Sequence, residues 1–183
     1  LNWATLQALA RTVDAKSPWT AGHSERVTDL AIKISKIMGC TKQESISLHQ
    51  AALVHDIGKI AIPNTILDKP DKLTNEEFDH IKHHPVIGAR ILQPISGFAD
   101  AINIVHQHHE RWDGSGYPLG LKGENICLGA RILAVADVYD ALISERPYRD
   151  GWVKDKVFEL IQEESGSKLD PEVVKAFFFA LQQ

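Results

Sequence analysis

Nine histidines stand in this 183-residue chain, and five of them fall in the three steps His55-Asp56, His83-His84 and His108-His109. A lone histidine on a helix is ordinarily a packed or solvated residue. Paired histidines and a His-Asp step inside apolar helices are harder to read that way. Imidazole and carboxylate together form the donor set that iron, manganese or zinc accepts, whereas carboxylates alone suit magnesium or calcium. Adjacent residues of a helix point about 100° apart, so His55 and Asp56 do not chelate one ion as an i, i+4 pair does. They serve a site between helices, with one carboxylate able to bridge two ions. Asp137 adds a second carboxylate inside Ile132-Leu133-Ala134-Val135-Ala136-Asp137-Val138, an apolar run that belongs in a core. A buried carboxylate is costly unless it is paired or metal-bound, and the clustered histidines favour the metal over an ion pair. Asp140, three residues on, reads as structural or partly exposed. By position alone His80, His83 and His84 are all open as ligands, and a His106/His109 pair at i, i+3 competes with His108-His109.

Helices must carry these groups, and the apolar rhythm is helical nearly throughout. Trp3, Leu6, Leu9, Ala10 and Val13 form one stripe, and Val27, Leu30, Ala31, Ile34 and Ile37 another. Leu48, Ala51, Ala52 and the apolar residues around His55 give a third helix. Thr74 with Glu77 has capping-box spacing and opens a fourth, which Pro85 breaks or re-aims near His84. A further helix runs through Ala101, Ile104 and Val105 to His109. From Asp113 to Gly129, five glycines and Pro118 demand a long, bent loop. An apolar helix follows from Ala130 through Leu142. Asp170-Pro171 reads as an N-cap followed by proline in the first helical position, ahead of Val173, Val174, Phe177 and Leu181. No alternating strand pattern occurs, and the class is all-α.

Composition sets the bounds. The chain is 44% hydrophobic and 24% charged, an ordinary globular balance, with a formal net charge of -4. That sign excludes a general basic surface for duplex nucleic acid. No apolar run approaches the roughly 20 residues needed to cross a bilayer. Cys40 and Cys127 form neither a Cys-x-x-Cys pair nor a disulfide framework, which fits the reducing cytoplasm. The chain begins at Leu1 with its single methionine at Met38, so it reads as part of a longer protein. The expected division is an N-terminal helix over 1–15, continuing from an upstream sensor or receiver domain, and one domain over 16–183. The first stripe, spaced near 3.5 residues, suits a coiled-coil seam and a homodimer, or equally a helix packed on its own bundle.

Several motifs in order carry a resemblance. His55-Asp56-Ile57-Gly58-Lys59 resembles the signature of the HD phosphohydrolase superfamily. The run His108-His109-Glu110-Arg111-Trp112-Asp113-Gly114-Ser115-Gly116-Tyr117-Pro118 resembles the second signature of its HD-GYP branch. Ala21-Gly22-His23-Ser24-Glu25-Arg26-Val27, His84-Pro85 with Gly88, Ala130 to Asp137 and Arg146-Pro147-Tyr148-Arg149 are similar to the remaining family motifs. The resemblance implies an HD-type helical bundle with a glycine-rich loop over a metal site, and phosphodiesterase activity on cyclic di-GMP in bacterial signalling. It implies two divalent ions, iron or manganese, that share Asp56. His23, His55 and Asp137 complete one ion's set, and His84, His108 and His109 the other's. His49, His80, His83 and His106 then return to ordinary packing or solvation. Lys59, one turn from the metal carboxylate, is placed to reach a phosphate oxygen. Arg146 and Arg149 are placed to grip a second phosphate or a guanine edge, and Tyr117 to pack on a base. Cyclic GMP-AMP is an alternative substrate, a nucleotide hydrolase a more distant one, and a silent dinucleotide- or partner-binding module the alternative of another class. Two departures stand out: Cys127 replaces a common proline, and Trp19 replaces a glutamate that in some resembling proteins helps hold a third ion. An indole offers only an N–H donor, so two ions are expected.

Overall fold

The computed structural model describes residues 3–144 and 151–182, the Trp19 side chain excepted. Ten α-helices occur among these residues: α1 (Trp3–Asp14), α2 (His23–Ile37), α3 (Lys42–Val54), α4 (Asn64–Leu67), α5 (Asn75–Lys82), α6 (His84–Leu92), α7 (Ala99–Gln107), α8 (Leu128–Ile143), α9 (Lys154–Glu164) and α10 (Pro171–Ala180). Short 3-10 turns occupy Pro18–Thr20, Ile57–Ala61 and Gly123–Asn125. The described residues form no strand, only an isolated bridge between Ser165 and Leu169, so the all-α expectation holds. No described helix is long and apolar enough to cross a membrane.

Helix α8 is central. It packs against α2, α3, α7, α9 and α10, which is why its sequence is apolar nearly all round, with Ala130, Ile132, Leu133, Val135 and Ala136 buried. Helix α2 buries Val27, Ala31 and Ile34 in this core, and α3 buries Leu48, Ala51 and Ala52. Leu6, Ala10 and Val13 of α1 are buried in this same core, while the Trp3 ring lies tilted against His49 at 4.4 Å between centroids. The helix on its own bundle is thus the arrangement seen for the first stripe.

Local signals set the boundaries. Thr74 and Glu77 form the expected capping box, and Thr41 with Glu44 forms a second. The Asp170 carboxylate accepts from the Glu172 and Val173 amides at the start of α10. His83 ends α5, and Pro85 lies in the first turn of α6, where its missing N–H costs no hydrogen bond. Three expectations are corrected. Helix α7 stops at Gln107, with His108 as its cap, short of His109. Helix α3 stops at Val54, so His55 caps it and Asp56, at φ -91° and ψ 5°, lies in the junction to the next 3-10 turn rather than inside a helix. Helix α8 begins at Leu128, so Gly129 belongs to its first turn. A Cβ there would meet Ile104 Cδ1 at 2.5 Å, and the glycine serves close packing of α7 on α8 rather than loop flexibility.

Candidate metal centre

The candidate histidines all lie at helix ends. His23 is the first residue of α2, behind Gly22 with φ 69°. His55 caps α3, His84 opens α6, and His108 caps α7 with His109 next to it. Asp137 alone comes from the middle of a helix, α8. Position at a helix end has a chemical consequence, because the last carbonyls of a helix lack intrahelical partners. His55 Nδ1 donates to Ala52 O at 2.8 Å, His84 Nδ1 to Ile81 O at 2.7 Å, and His108 Nδ1 to Val105 O at 2.6 Å. His23 Nδ1 instead donates to Asp140 Oδ2 at 2.7 Å. Each hydrogen bond fixes the ring and leaves Nε2 as the ligand nitrogen.

These Nε2 atoms converge on Asp56. Its Oδ2 lies 3.8 Å from His23 Nε2 and 3.6 Å from His55 Nε2, and its Oδ1 lies 3.4 Å from His84 Nε2. His84 Nε2 and His108 Nε2 are 3.3 Å apart. Asp137 Oδ1 stands 3.2 Å from His23 Nε2 and 3.9 Å from His55 Nε2. Two sets capable of holding an ion result, one of Asp56, His84, His108 and His109 and one of His23, His55 and Asp56, and the shared member is Asp56. His55 Nε2 and Asp56 Oδ1 are buried without a hydrogen bond. Buried polar atoms are rarely left so, and a cation between them removes the penalty. The residues therefore fit a metal centre.

The protonation of Asp56, Asp137, His84, His108 and His109 agrees, whereas metal-free His23 carries a proton at neutral pH that an ion would have to displace. Burial favours neutral Asp56, but the charges of Lys59 and of the surrounding histidines outweigh it and hold the carboxyl well below its usual range. Asp137 is likewise held ionised against burial by its hydrogen bond to His23 and by the nearby histidines. Burial pushes His84 down to about 3 and His109 to about 4, and holds His108 well below its usual value. These three rings keep free lone pairs at neutral pH. For His23 burial also disfavours the charge, but Asp137, Asp140 and Asp56 together raise it to about 9.

A pH dependence follows for the chelated protein. His84 has a folded pKa below its ordinary 6.5, so the unfolded chain takes up the proton first. Stability from this group is present above 6.5 and is lost as the pH falls, by about 2 kcal/mol between pH 7 and 5. His108 and His109 act in the same direction. His23 has a raised value, contributes fully below 6.5 and loses its contribution as the pH rises through about 9; between pH 7 and 5 it offsets part of the loss. Urea denaturation at pH 5, 7 and 9.5 is expected to give the highest midpoint at pH 7. A higher midpoint at pH 5 would contradict neutral His84.

Other candidates flank the cluster. Lys59 Nζ contacts Asp56 Oδ2 at 2.6 Å. The Tyr117 ring stacks on His109 at 5.0 Å, and Phe78 of α5 meets Tyr117 edge-on at 6.4 Å. His80 and His83 are exposed, and His49 and His106 half-buried, all outside the ligand sets. Arg146 and Arg149 lie outside the described residues, as does the Trp19 side chain. Asp140 is buried and structural: it holds His23, and its Oδ1 accepts from Arg26 Nε at 2.7 Å. Sequence reasoning missed Glu110, which is 4% exposed and accepts from the Leu119 and Leu121 amides at 2.6 and 2.9 Å. It pins the glycine-rich loop. The available signal was an acidic residue between paired histidines and a glycine-rich run.

A helical bundle that turns several helix-end histidines onto one shared aspartate defines a helical domain whose central cluster could hold metal ions. The HD domain model matches residues 7–173. Over 174 residues the chain is 42% identical to 3'3'-cGAMP-specific phosphodiesterase 3 of Vibrio cholerae, covering 95% of this chain and 38% of that protein. Over 162 residues it is 46% identical to a cyclic di-GMP phosphodiesterase of Thermotoga maritima, covering 86% and 44%. Among solved structures it is similar to Bd1817, an HDG"Y"P protein from Bdellovibrio bacteriovorus, with a TM-score of 0.73 at 25% identity over 92% of this chain and 53% of that one. The chain belongs to the HD-domain superfamily, in its HD-GYP branch. It spans less than half the length of the two curated relatives.

Proposed function

We propose that this chain is the hydrolytic domain of a cyclic dinucleotide phosphodiesterase, cleaving cyclic di-GMP to linear pGpG, GMP or both. The observation that carries the reading is one aspartate turned between two histidine sets, with an oxygen toward each. His23, His55, Asp56 and Asp137 would hold one divalent ion, and Asp56, His84, His108 and His109 a second; the donor type suits iron, manganese or zinc, and the family resemblance favours iron or manganese. When bound, such a pair lowers the pKa of water and neutralises phosphate charge. The chain's own residues do the rest. Asp140 keeps His23 Nε2 turned to the cluster, and Lys59 offers its ammonium to a phosphate oxygen from its place beside Asp56. Tyr117 and Phe78 extend a row of rings outward from His109, a surface for a base. Arg146 and Arg149 are assigned to the rest of the dinucleotide by resemblance. The expected content is two ions per chain, and anaerobic reconstitution with a reproducible third ion beside His23 would contradict it.

Cyclic GMP-AMP is the second reading, supported by the 42% identity to a phosphodiesterase named for that substrate. Incubating metal-loaded protein with cyclic di-GMP, cyclic GMP-AMP and pGpG, with products identified by mass, tests both. Cleavage of neither cyclic substrate by protein holding two ions overturns the hydrolytic reading and leaves a binding module. Tyr117→Ala is expected to raise KM for the cyclic dinucleotide about tenfold, the scale of one base–aromatic stack. Hydrolysis of bis(p-nitrophenyl) phosphate, which lacks a base, should be unchanged. Equal losses on both substrates would place Tyr117 in the metal centre's support rather than on the base.

A further inference from the structure

The end of α1 and the turn behind it fasten the segments that carry the centre. Asp14 is 5% exposed and accepts from the Ser24 amide at 3.2 Å and the Ser24 hydroxyl at 2.7 Å, one residue beyond His23. Lys16 crosses to the other side of the centre. Its ammonium donates to Lys59 O at 2.8 Å, to Ile60 O at 2.6 Å and to Ile62 O. Its own carbonyl accepts from Asn64 Nδ2 at 3.1 Å, and Ser17 Oγ donates to Asp68 Oδ1 at 2.7 Å. An ammonium has three donors, and here three carbonyls at the end of the Ile57–Ala61 turn take them. Lys59 O also accepts from the Ile62 amide at 3.0 Å; terminal carbonyls of a helix otherwise lack intrahelical partners, and a cation there also meets the negative end of the peptide dipoles. Lys16 lines a cavity of about 50 Å³ together with Asp14, Asp56 and Lys59.

We propose that Lys16 is a positioning residue of the metal centre: it fixes the backbone at Lys59, and Lys59 in turn holds Asp56. The second link is the 2.6 Å contact from Lys59 Nζ to Asp56 Oδ2. Asp56 itself opens the same turn, so the backbone that Lys16 holds and the carboxylate that Lys59 contacts belong to one short segment. A lysine that merely fastened α1 to the bundle would affect global stability without singling out this turn. The structural part of the proposal stands on these contacts alone; its kinetic part rests on the hydrolytic reading above.

The test uses Lys16→Met, which keeps an apolar stem without the ammonium, and Lys16→Arg, which keeps a cation, in the full chain. Hydrogen exchange of metal-free protein, followed by mass spectrometry, is expected to quicken about tenfold across residues 57–62 in the methionine variant, the scale for losing hydrogen bonds from a charged donor. Exchange in α8 should stay as in wild type, and arginine should restore the turn. With metal-loaded protein and cyclic di-GMP, Lys16→Met is expected to lower kcat about tenfold with KM changed less than twofold. In a Lys59→Met background the same substitution should add no further loss, since its effect passes through Lys59. Unchanged exchange over 57–62, or equal kcat losses in both backgrounds, overturns the proposal. If Lys16→Met does not fold, Lys16→Gln is read by the same criteria. A wild-type chain that cleaves no diester removes the hydrolytic reading but leaves the exchange comparison decisive for Lys16.

Discussion

Asp56→Asn is expected to lower kcat/KM for a cyclic dinucleotide by about a thousandfold or more, the scale seen when one member of a catalytic unit is removed. The geometry makes the substitution severe. Asp56 Oδ2 faces His23 and His55 while Oδ1 faces His84, so both ligand sets depend on one anionic group. An amide replaces one oxygen with an N–H donor and removes the negative charge. Whichever way it turns, one set loses the Asp56 oxygen, and Lys59 loses the anion that holds it. The fold should survive, because the surrounding helices are held by apolar contacts of α2, α3 and α8. Circular dichroism is expected to stay helical, metal content to fall below two ions per chain, and turnover to vanish against wild type. A folded Asp56→Asn protein that holds two ions and turns over normally would sink the bridging role.

Much of this was legible because its signals are local. The Thr74/Glu77 capping box, the Asp170-Pro171 start and the Pro85 break each act within one turn, and each stands where the sequence placed it. Asp137 stood out for a different reason, a carboxylate inside an apolar run; the structure leaves it half-buried, 3.2 Å from His23 Nε2 and outside the two ligand sets. What the sequence obscured was long-range. Periodicity carried α3 through His55, because nothing local shows that Val54 is its last residue. That end matters, since it makes the Ala52 carbonyl available to His55 Nδ1. The partnership of His23 with Asp140 spans 117 positions, and that of Lys16 with the 59–62 carbonyls spans 43 to 46. No spacing rule reaches that far. Choosing His84 over His80 and His83 needed the family pattern, and the fold supplies the physical reason: His84 is buried while the other two are exposed.

Gly58→Ala is expected to disable the centre from a position that holds no ligand. A Cβ at Gly58 would lie 1.9 Å from the His84 carbonyl oxygen, 2.8 Å from the His84 carbonyl carbon and 2.7 Å from the Gly88 amide nitrogen. All three are backbone atoms, so no side chain can swing aside. Either the Ile57–Ala61 turn or the start of α6 must shift. Asp56 precedes that turn and His84 opens that helix, and their ligand atoms are 3.4 Å apart. A site of this kind tolerates about 0.5 Å of misplacement, and about an ångström can cost a hundredfold in rate. The expected result is a fall in stability of about 1–3 kcal/mol from overpacking, loss of metal from the Asp56/His84/His108/His109 set, and turnover lower by about a hundredfold or more. Gly39→Ala is the control. Gly39 has φ 72° with nothing within 4 Å of the added carbon, so alanine there should cost about 1–2 kcal/mol of backbone strain and leave metal content and kcat untouched. Both variants destabilise, but only one moves a ligand pair. Should Gly58→Ala keep two ions and normal turnover while losing stability like the control, the close approach of the turn to α6 does not set the Asp56–His84 distance.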